Sequence, residues 1–206
     1  TQMRQATTGP ERGKVYFEDR NITTKELLSY ALKSGSNYRF WVKATQPLDY
    51  PEQDLPIDPY TLGLLLGDGR IREGGACELI AHADDWPTYV KHIPYLLGKE
   101  QLDNRRPTTI TRTIRALQPF ARHLGINCHG NLKRVPSIYL RGSVTQREAL
   151  LQGLLDTDGT IGTNGYISFC SNSQGLCEDV AALVRSLGGL AQVQIKTEHC
   201  KVGIKI

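Results

Sequence analysis

The chain has 206 residues, 39% hydrophobic and 22% charged, and a net charge of +4, which excludes a disordered chain and allows one or two folded domains. No apolar run approaches the roughly 20 residues of a membrane span, and no signal peptide is visible. Five cysteines without a CxxC pair predict neither a disulfide framework nor a zinc ribbon, so we expect a reducing, cytoplasmic setting and no membrane partner.

Residues 1–57 predict a small N-terminal extension that ends in a linker. We expect a loose arm over residues 1–10 and strands over residues 14–19 and 38–43. A capping box from Thr23 to Glu26 predicts a short helix that reaches residue 32. An extended linker follows, because proline fixes φ and removes a backbone donor. Its four prolines are Pro47, Pro51, Pro56 and Pro59.

Residues 58–142 predict the first of two similar halves. Asp58 is a suitable N-cap and Pro59 suits the first turn of a helix over residues 60–67, which is apolar on nearly every side and should be buried. A strand over residues 77–83 and a helix from Asp84 or Asp85 to residue 97 follow. The last elements of this half are a β-rich run (108–114) and a helix (117–124).

Residues 143–206 repeat this order of elements, with the final helix absent. A capping box at Thr145 and Glu148 predicts a helix that ends near residue 157. Asn164-Gly165 predicts a hairpin turn between two strands. Ser173 should cap a helix that ends at residue 187, before two closing strands. The sequence therefore predicts an α+β fold of two pseudo-symmetric halves in a monomer.

The charge is unevenly distributed along the chain. Residues 99–147 carry ten basic and two acidic side chains, and residues 45–90 carry two basic and nine acidic ones. An arginine-rich stretch of this kind suits a polyanion partner such as DNA. A solvated basic surface explains the same charges, and composition alone does not separate the two interpretations.

The leading helices of the two halves carry a repeated motif. TLGLLLGDG (61–69) and LQGLLDTDG (151–159) agree at five of nine positions, and their final aspartates, Asp68 and Asp158, lie 90 residues apart. Gly63 and Gly153 would let the two helices pack with their backbones nearly touching. Small residues, Gly67 and Thr157, follow each glycine four positions later.

Close packing of these helices would bring Asp68 and Asp158 together at the C-terminal ends of the helices. Two adjacent carboxylates repel unless a proton or a cation lies between them, and oxygen-lined anionic sites suit Mg²⁺ or Mn²⁺. A divalent ion beside a basic surface points to metal-assisted hydrolysis of a phosphodiester. One copy of the motif would be read as a turn, whereas two matching copies favour a paired site.

The two motifs resemble those of the LAGLIDADG homing endonucleases, in the single-chain form with two motifs. The second copy is a close match, and the first has Leu66 where the family has aspartate. The resemblance implies an αββαββα fold in each half, with sheets that lie in the major groove of a DNA target of about 20 base pairs. It also implies cleavage across the minor groove, with Mg²⁺ (or Mn²⁺ or Ca²⁺) held by Asp68, Asp158 and the carbonyls of Gly67 and Thr157.

Residues 133–136 (KRVP) resemble the K-x-I/V-P block of intein-encoded members of this family. The resemblance implies that Lys133 lies near the active site, where it would stabilise charge on the phosphate or position the attacking water. Simple phosphate binding is the alternative role. The resemblance therefore implies an endonuclease of the intein-encoded type, with the host protein of the intein as a further partner. Because Thr1 and Ile206 are not splicing residues, we expect no splicing.

DNA contacts should come from polar residues on the strands and from the basic segment. The candidates are Arg70, Arg72, His82, Arg112, Arg134, Arg141, Thr163, Lys196 and Lys201. Tyr16, Arg39 and Trp41 could add a small DNA-contacting module or form a packed flap. Two other functions stay open: a catalytically inactive nucleic-acid binder, maturase-like or regulator-like, and a structural remnant of a degenerate intein.

Overall fold

The computed structural model describes residues 2–8, 15–71, 76–196 and 201–205, with side chains for residues 17–71 and 76–195. Its contacts divide the chain into two compact units, Thr1–Thr45 and Gln46–Ile206. Among the described residues, none of the helices has the length and apolar character needed to cross a bilayer.

The smaller unit is built on a three-stranded antiparallel sheet of order β2-β1-β5. Its elements are β1 (Gln2–Thr8), β2 (Val15–Asn21), α1 (Thr24–Leu28), β3 (Lys33–Ser34), β4 (Asn37–Tyr38) and β5 (Phe40–Val42). The prediction of a loose arm was wrong, because β1 pairs with both β2 and β5. Strand β2 is the next strand in the chain, but β5 pairs with β1 from 35 to 39 positions away, so the local pattern did not show the whole sheet. Trp41 is exposed on β5 and Arg39 is half-buried.

Helix α1 begins at the predicted capping box. The Glu26 amide donates to Thr23 Oγ1 (3.1 Å), and the Thr23 amide donates to Glu26 Oε2 (2.7 Å). The helix ends at Leu28 and not at residue 32. Ser29 provides a local reason, since its hydroxyl donates to the Glu26 carbonyl at 2.6 Å and so competes for an acceptor of the helix.

The proline-rich stretch, residues 46–57, belongs to the larger unit and contains no helix or strand. Three side chains fix its main chain: Gln146 bonds both the amide and the carbonyl of Gln53 (3.0 and 2.7 Å), and Tyr139 does the same at Ile57 (2.9 and 2.8 Å). Arg147 donates to the Leu48 carbonyl. The stretch was predicted to be a linker between units, and its main chain is instead bound to the rest of the larger unit at residues 48, 53 and 57.

The larger unit contains two halves with the same order of elements. The first half has α2 (Pro59–Gly67), β6 (Gly69–Ile71), β7 (Cys77–His82), α3 (Trp86–His92), β8 (Gln101–Asp103), β9 (Arg106–Ile114), α4 (Gln118–His123) and α5 (Ser137–Leu140). The second half has α6 (Val144–Asp158), β10 (Gly159–Ile161), β11 (Ile167–Ser171), α7 (Gln174–Ser186), β12 (Gln192–Lys196) and β13 (Lys201–Lys205).

The two four-stranded sheets have matching strand orders, β6-β7-β9-β8 and β10-β11-β13-β12, and every pairing is antiparallel. This topology confirms the predicted α+β fold with two αββαββ halves. The hairpin at Asn164-Gly165 is also confirmed, and Gly165 has the positive φ (79°) that its turn requires.

Two further helix boundaries, both in the larger unit, differ from the prediction. Helix α3 ends at His92 and not at residue 97, because Pro94 disfavours helical geometry at the residue before it, and Ile93 is extended. Helix α6 begins at a capping box formed by Ser143 and Gln146, two residues before the predicted one. Both candidate boxes fit the sequence rule, and the interactions of Gln146 with residue 53 favour the earlier one.

The core of the larger unit lies between the helices and one face of each sheet. Helix α2 is buried from Tyr60 to Leu66, as its apolar sequence predicted. In β7, Cys77, Leu79 and Ala81 alternate as buried residues with side chains on the other face of the sheet. Helix α7 has one apolar face, as a helix on the surface of a sheet requires.

Candidate active site

Helices α2 and α6 touch through their backbones at two glycines. A Cβ on Gly63 would lie 2.5 Å from the Leu150 carbonyl oxygen and 2.8 Å from the Leu154 amide nitrogen. A Cβ on Gly153 would overlap the Tyr60 carbonyl oxygen. These contacts repeat with an offset of 90 residues, from 63 to 153 and from 60 to 150. The glycines therefore lie on a pseudo-two-fold axis between the halves.

The small residue four positions after each glycine also lies in this interface. A Cβ on Gly67 would overlap Thr157 Oγ1, so the threonine side chain fills the space that the glycine leaves. Thr157 Oγ1 donates to the Leu154 carbonyl at 2.9 Å and is thereby held along its own helix. The helices remain in contact down to their C-terminal ends.

Those ends carry the two motif aspartates. Asp68 caps α2, with its amide 3.0 Å from the Leu64 carbonyl, and Asp158 is the last residue of α6. Partial burial raises the pKa of Asp68, and nearby Asp85 raises it further, whereas Lys133 lowers it. The Asp68 side chain still reaches solvent. A carboxylate that is both crowded and accessible can take up a cation from solution.

Lys133 places its ammonium group on the C-terminal carbonyls of α2. Its Nζ donates to the carbonyls of Gly67 (2.9 Å), Gly69 (3.1 Å) and Leu65 (3.4 Å). Burial lowers the pKa of Lys133, whereas the charges of Asp158 and Asp68 raise it. Lys133 also lines one cavity with Asp158, and the carbonyls of Gly67 and Gly69 flank Asp68 in the chain, so Lys133 lies near both aspartates predicted to be catalytic.

A cavity of about 220 Å³ opens beside this group. It has room for several water molecules, at about 30 Å³ each. Its walls are formed by Leu66, Gly67, Gly130, Lys133, Asp158, Cys170, Ser171 and Asn172. The cavity is thus lined by the motif aspartate of the second half together with Lys133 and Gly67 of the first half.

The donor set fits a hard divalent cation. The two carboxylates and the carbonyls at the helix ends are oxygen donors, the ligand type that Mg²⁺, Mn²⁺ and Ca²⁺ prefer. Among the described residues, no three His, Cys, Asp or Glu side chains cluster closely enough to hold a metal ion. An ion between Asp68 and Asp158 would therefore depend on backbone oxygens and water, and the Gly67 carbonyl already accepts a bond from a cationic group, Lys133.

Two tyrosines that the sequence analysis missed cross the interface. The Tyr60 hydroxyl donates to Asp156 Oδ2 (2.8 Å), and the Tyr89 hydroxyl donates to the Asp156 carbonyl (2.9 Å). Burial raises the pKa of Tyr89, and the charges of Asp85 and Asp68 raise it further. Asp156 occupies the sixth motif position, where the first motif has Leu66, so this difference between the motifs has a structural role.

The predicted DNA-contacting residues do not all lie on one face. Arg70 and His82 are exposed, and each is near an acidic side chain: Arg70 pairs with Glu78 (2.7 Å) and His82 lies 3.4 Å from Asp84. Arg112 is paired with Leu79 in the β-sheet, so it shares the helix-facing side of the sheet. There its guanidinium lies 5.1 Å from the Trp86 ring.

The remaining candidates are spread over the second half and the segment before it. Arg141 is exposed after α5, and Thr163 is exposed in the β10–β11 turn. Lys196 and Lys201 are paired at the end of the β12–β13 ladder, where only the backbone is described. Arg72 lies outside the described residues.

Arg134 is held in an ion pair with Asp179 of α7. Its Nε and Nη2 atoms each lie 2.7 Å from one carboxylate oxygen of Asp179, which is 5% exposed. Arg134 was predicted to contact DNA, and Asp179 was not among the predicted residues. The two residues are 45 positions apart, and no local pattern connects them.

The second half of the chain is similar to a known protein family. Residues 145–205 match the model of the LAGLIDADG-like domain. A replicative DNA helicase DnaB of Mycobacterium intracellulare is 39% identical over 149 residues, which are 72% of this chain. The chain spans only 22% of the length of that helicase.

Two solved structures each align with 73% of the chain. One is I-DmoI in complex with DNA and Mn, which is 14% identical, with 89% of its chain covered and a TM-score of 0.48. The other is the N-terminal LAGLIDADG domain of DUF199/WhiA, which is 10% identical, with 74% of its chain covered and a TM-score of 0.49. The family match over residues 145–205 covers the second motif, α7 and the closing strands, so this region is similar to a LAGLIDADG-like domain.

Proposed function

We propose that the chain is a site-specific double-strand DNA endonuclease of the LAGLIDADG type, active as a monomer with a divalent metal. One observation carries the proposal: Lys133 Nζ donates to the carbonyls of Gly67 and Gly69, on either side of Asp68, and Lys133 lines one cavity with Asp158 of the other half. A turn motif that served only the fold would not require this convergence of charges from two halves of the chain.

The proposed roles follow from the chemistry of each group. Asp68 and Asp158, with the backbone carbonyls of Gly67 and Thr157, would hold Mg²⁺, which when bound would activate water and neutralise phosphate charge. Lys133 would donate a hydrogen bond to a phosphate oxygen or orient the attacking water. Its position on the wall of the cavity that Gly67 and Asp158 also line supports either role.

The proposed partner is a DNA duplex of about 20 base pairs, bound along the outer faces of the two sheets. Arg70 and His82 on the first sheet, with Thr163 and Arg141 in the second half and before it, are exposed and available for such contacts. Arg112 and Arg134 are engaged with neighbouring side chains, and we give them no base contact.

We also propose that this endonuclease derives from an intein and acts in the cytoplasm. Two features support that origin: the KRVP block at residues 133–136, and the likeness to a helicase of which the chain spans only 22%. The host protein would then be a second partner of the chain.

The test is selection of cleaved targets from a DNA library, followed by cleavage of the selected duplex with Mg²⁺ and with EDTA. Asp68→Asn and Asp158→Asn should each abolish double-strand cleavage and keep DNA binding, while Asp84→Asn, an exposed carboxylate outside the motifs, should cut normally. Full cleavage by either motif variant would contradict the assignment. Specific binding by the wild-type chain without cleavage would favour the inactive-binder alternative.

A further inference from the structure

The segment that carries Lys133 is pinned to α7 by hydrogen bonds from both its main chain and a side chain. Ser173 Oγ donates to the Lys133 carbonyl at 2.6 Å. Asp179 accepts two bonds from the Arg134 guanidinium, each 2.7 Å, and a third from the Val135 amide at 2.9 Å. Three consecutive residues are therefore fixed to one helix of the second half.

Asp179 is suited to hold this segment because it is buried and fully engaged. A buried carboxylate is costly unless it is paired and hydrogen-bonded, and a bidentate guanidinium with an amide meets that requirement. Gly175, one turn earlier on α7, leaves the space that the Arg134 side chain occupies, since a Cβ there would overlap Arg134 Cδ. The pairing is thus built into the helix and is not a chance contact of surface charges.

The consequence falls on the Lys133 side chain. Its main chain is held by the second half, through Ser173 and Asp179, while its ammonium group lies on the carbonyls of α2 in the first half. Pro136 fixes φ on the C-terminal side of the segment, which limits its freedom further. A shift of the Arg134–Val135 backbone would move Nζ away from the carbonyls and from Asp158.

We propose that Asp179 is a positioning residue, which holds Lys133 in place through Arg134 and Val135. The inference rests on the proposed nuclease function for its catalytic consequence, but the placement of Lys133 can be measured without cleavage. It also gives Arg134 a structural link to the site in place of the DNA contact predicted from the sequence.

The experiment compares Asp179→Asn and Arg134→Lys with the wild-type chain and with Glu178→Gln. Asn keeps the size of the side chain but cannot accept both guanidinium bonds, and Lys keeps the charge of Arg134 but loses its fork. Glu178, exposed on the same helix, is the matched control. Three quantities are measured: the acetylation rate of Lys133 by peptide mass spectrometry, the single-turnover cleavage rate, and the DNA dissociation constant.

Asp179→Asn should remove the protection of Lys133 from acetylation while the other lysines keep their rates. It should lower the cleavage rate about 10-fold or more and leave DNA affinity unchanged. Arg134→Lys should raise the acetylation rate of Lys133 and lower the cleavage rate in the same way, to a smaller extent. If Asp179→Asn does not fold, the Arg134→Lys results test the proposal. Glu178→Gln should match the wild type.

Unchanged protection of Lys133 in folded variants would overturn the proposal. So would lost protection with an unchanged cleavage rate in an active enzyme. If the wild-type chain cuts no DNA, the proposed function fails, and the acetylation rates still show whether Asp179 positions Lys133.

Discussion

Replacing Gly63 with alanine should force α2 and α6 apart. The new Cβ would lie 2.5, 2.8 and 2.9 Å from three backbone atoms of α6, and ordinary contact begins at 3.4 Å. Because main-chain atoms cannot rotate away, the helices must separate by up to about 0.9 Å at this point. Because these helices carry Asp68 and Asp158 at their C-terminal ends, their separation should also move the two aspartates.

The free energy follows from two opposing effects. Overpacking of a core costs up to about 3 kcal/mol, and exchanging a helical glycine for alanine recovers about 1 kcal/mol. We therefore expect Gly63→Ala to lower the free energy of unfolding by about 2 kcal/mol. For a unit of this size, the melting temperature should fall by about 4–8 °C.

Urea titration followed by circular dichroism measures this change, and the cleavage assay reports its effect at the helix ends. Gly130→Ala is the control, because a Cβ there meets no atom within 4 Å, and its effect should stay within about 0.5 kcal/mol. If Gly63→Ala unfolds at the same urea concentration as the wild type or a higher one, the close backbone contact does not exist as described.

Three further predictions concern single side chains. Burial raises the pKa of Asp68, so the folded state binds the carboxyl proton more tightly than the unfolded chain does, and the stability that the protonated carboxyl contributes falls as pH rises. Asp68→Asn should therefore melt at a higher temperature than the wild type at pH 7 in EDTA. The two proteins should melt at the same temperature below pH 3.8, the ordinary pKa of aspartate. Arg147 is fully buried and donates only to carbonyl and hydroxyl groups, so Arg147→Met should cost about 3 kcal/mol in a urea titration, and a loss below 1 kcal/mol would contradict its role as an anchor. Tyr60→Phe removes the bond to Asp156 and should cost about 1 kcal/mol by the same titration, whereas Tyr60→Phe in an Asp156→Asn background should cost less.

The elements that the sequence predicted well are those with local signals. Asp58 and Pro59 start α2 as expected, Ser173 caps α7, and Gly188 ends it with a φ of 87°. The repeated motif also predicted the close contact between α2 and α6. A glycine inside a helix is destabilising, so its presence at the same motif position in both helices indicated that the two backbones meet there.

The features that were missed depend on partners far away in sequence. Strand β1 pairs on one edge with β5, which is 35 to 39 positions away, and the stretch at residues 46–57 is held by side chains about 80 to 100 positions later. Arg112 is of a residue type that often contacts DNA. However, it pairs with Leu79 across the sheet, so its side chain lies on the same face as Leu79 and contacts Trp86. In β9 the arginine occupies a position between Ile110 and Ile114 on the buried face of the strand. Its charge alone suggests an exposed position, so residue type did not predict the correct face.

The bond between Tyr60 and Asp156 distinguishes the two halves from each other. The positions related to them by the 90-residue offset are Leu150 and Leu66, which are both apolar. Two copies of the first half would place a tyrosine hydroxyl against leucine, and two copies of the second half would place a carboxylate against leucine, each without its hydrogen-bonding partner. The polar pair therefore favours the packing of the first half against the second. Two identical halves would pack less favourably, because each would bury a polar group without a partner.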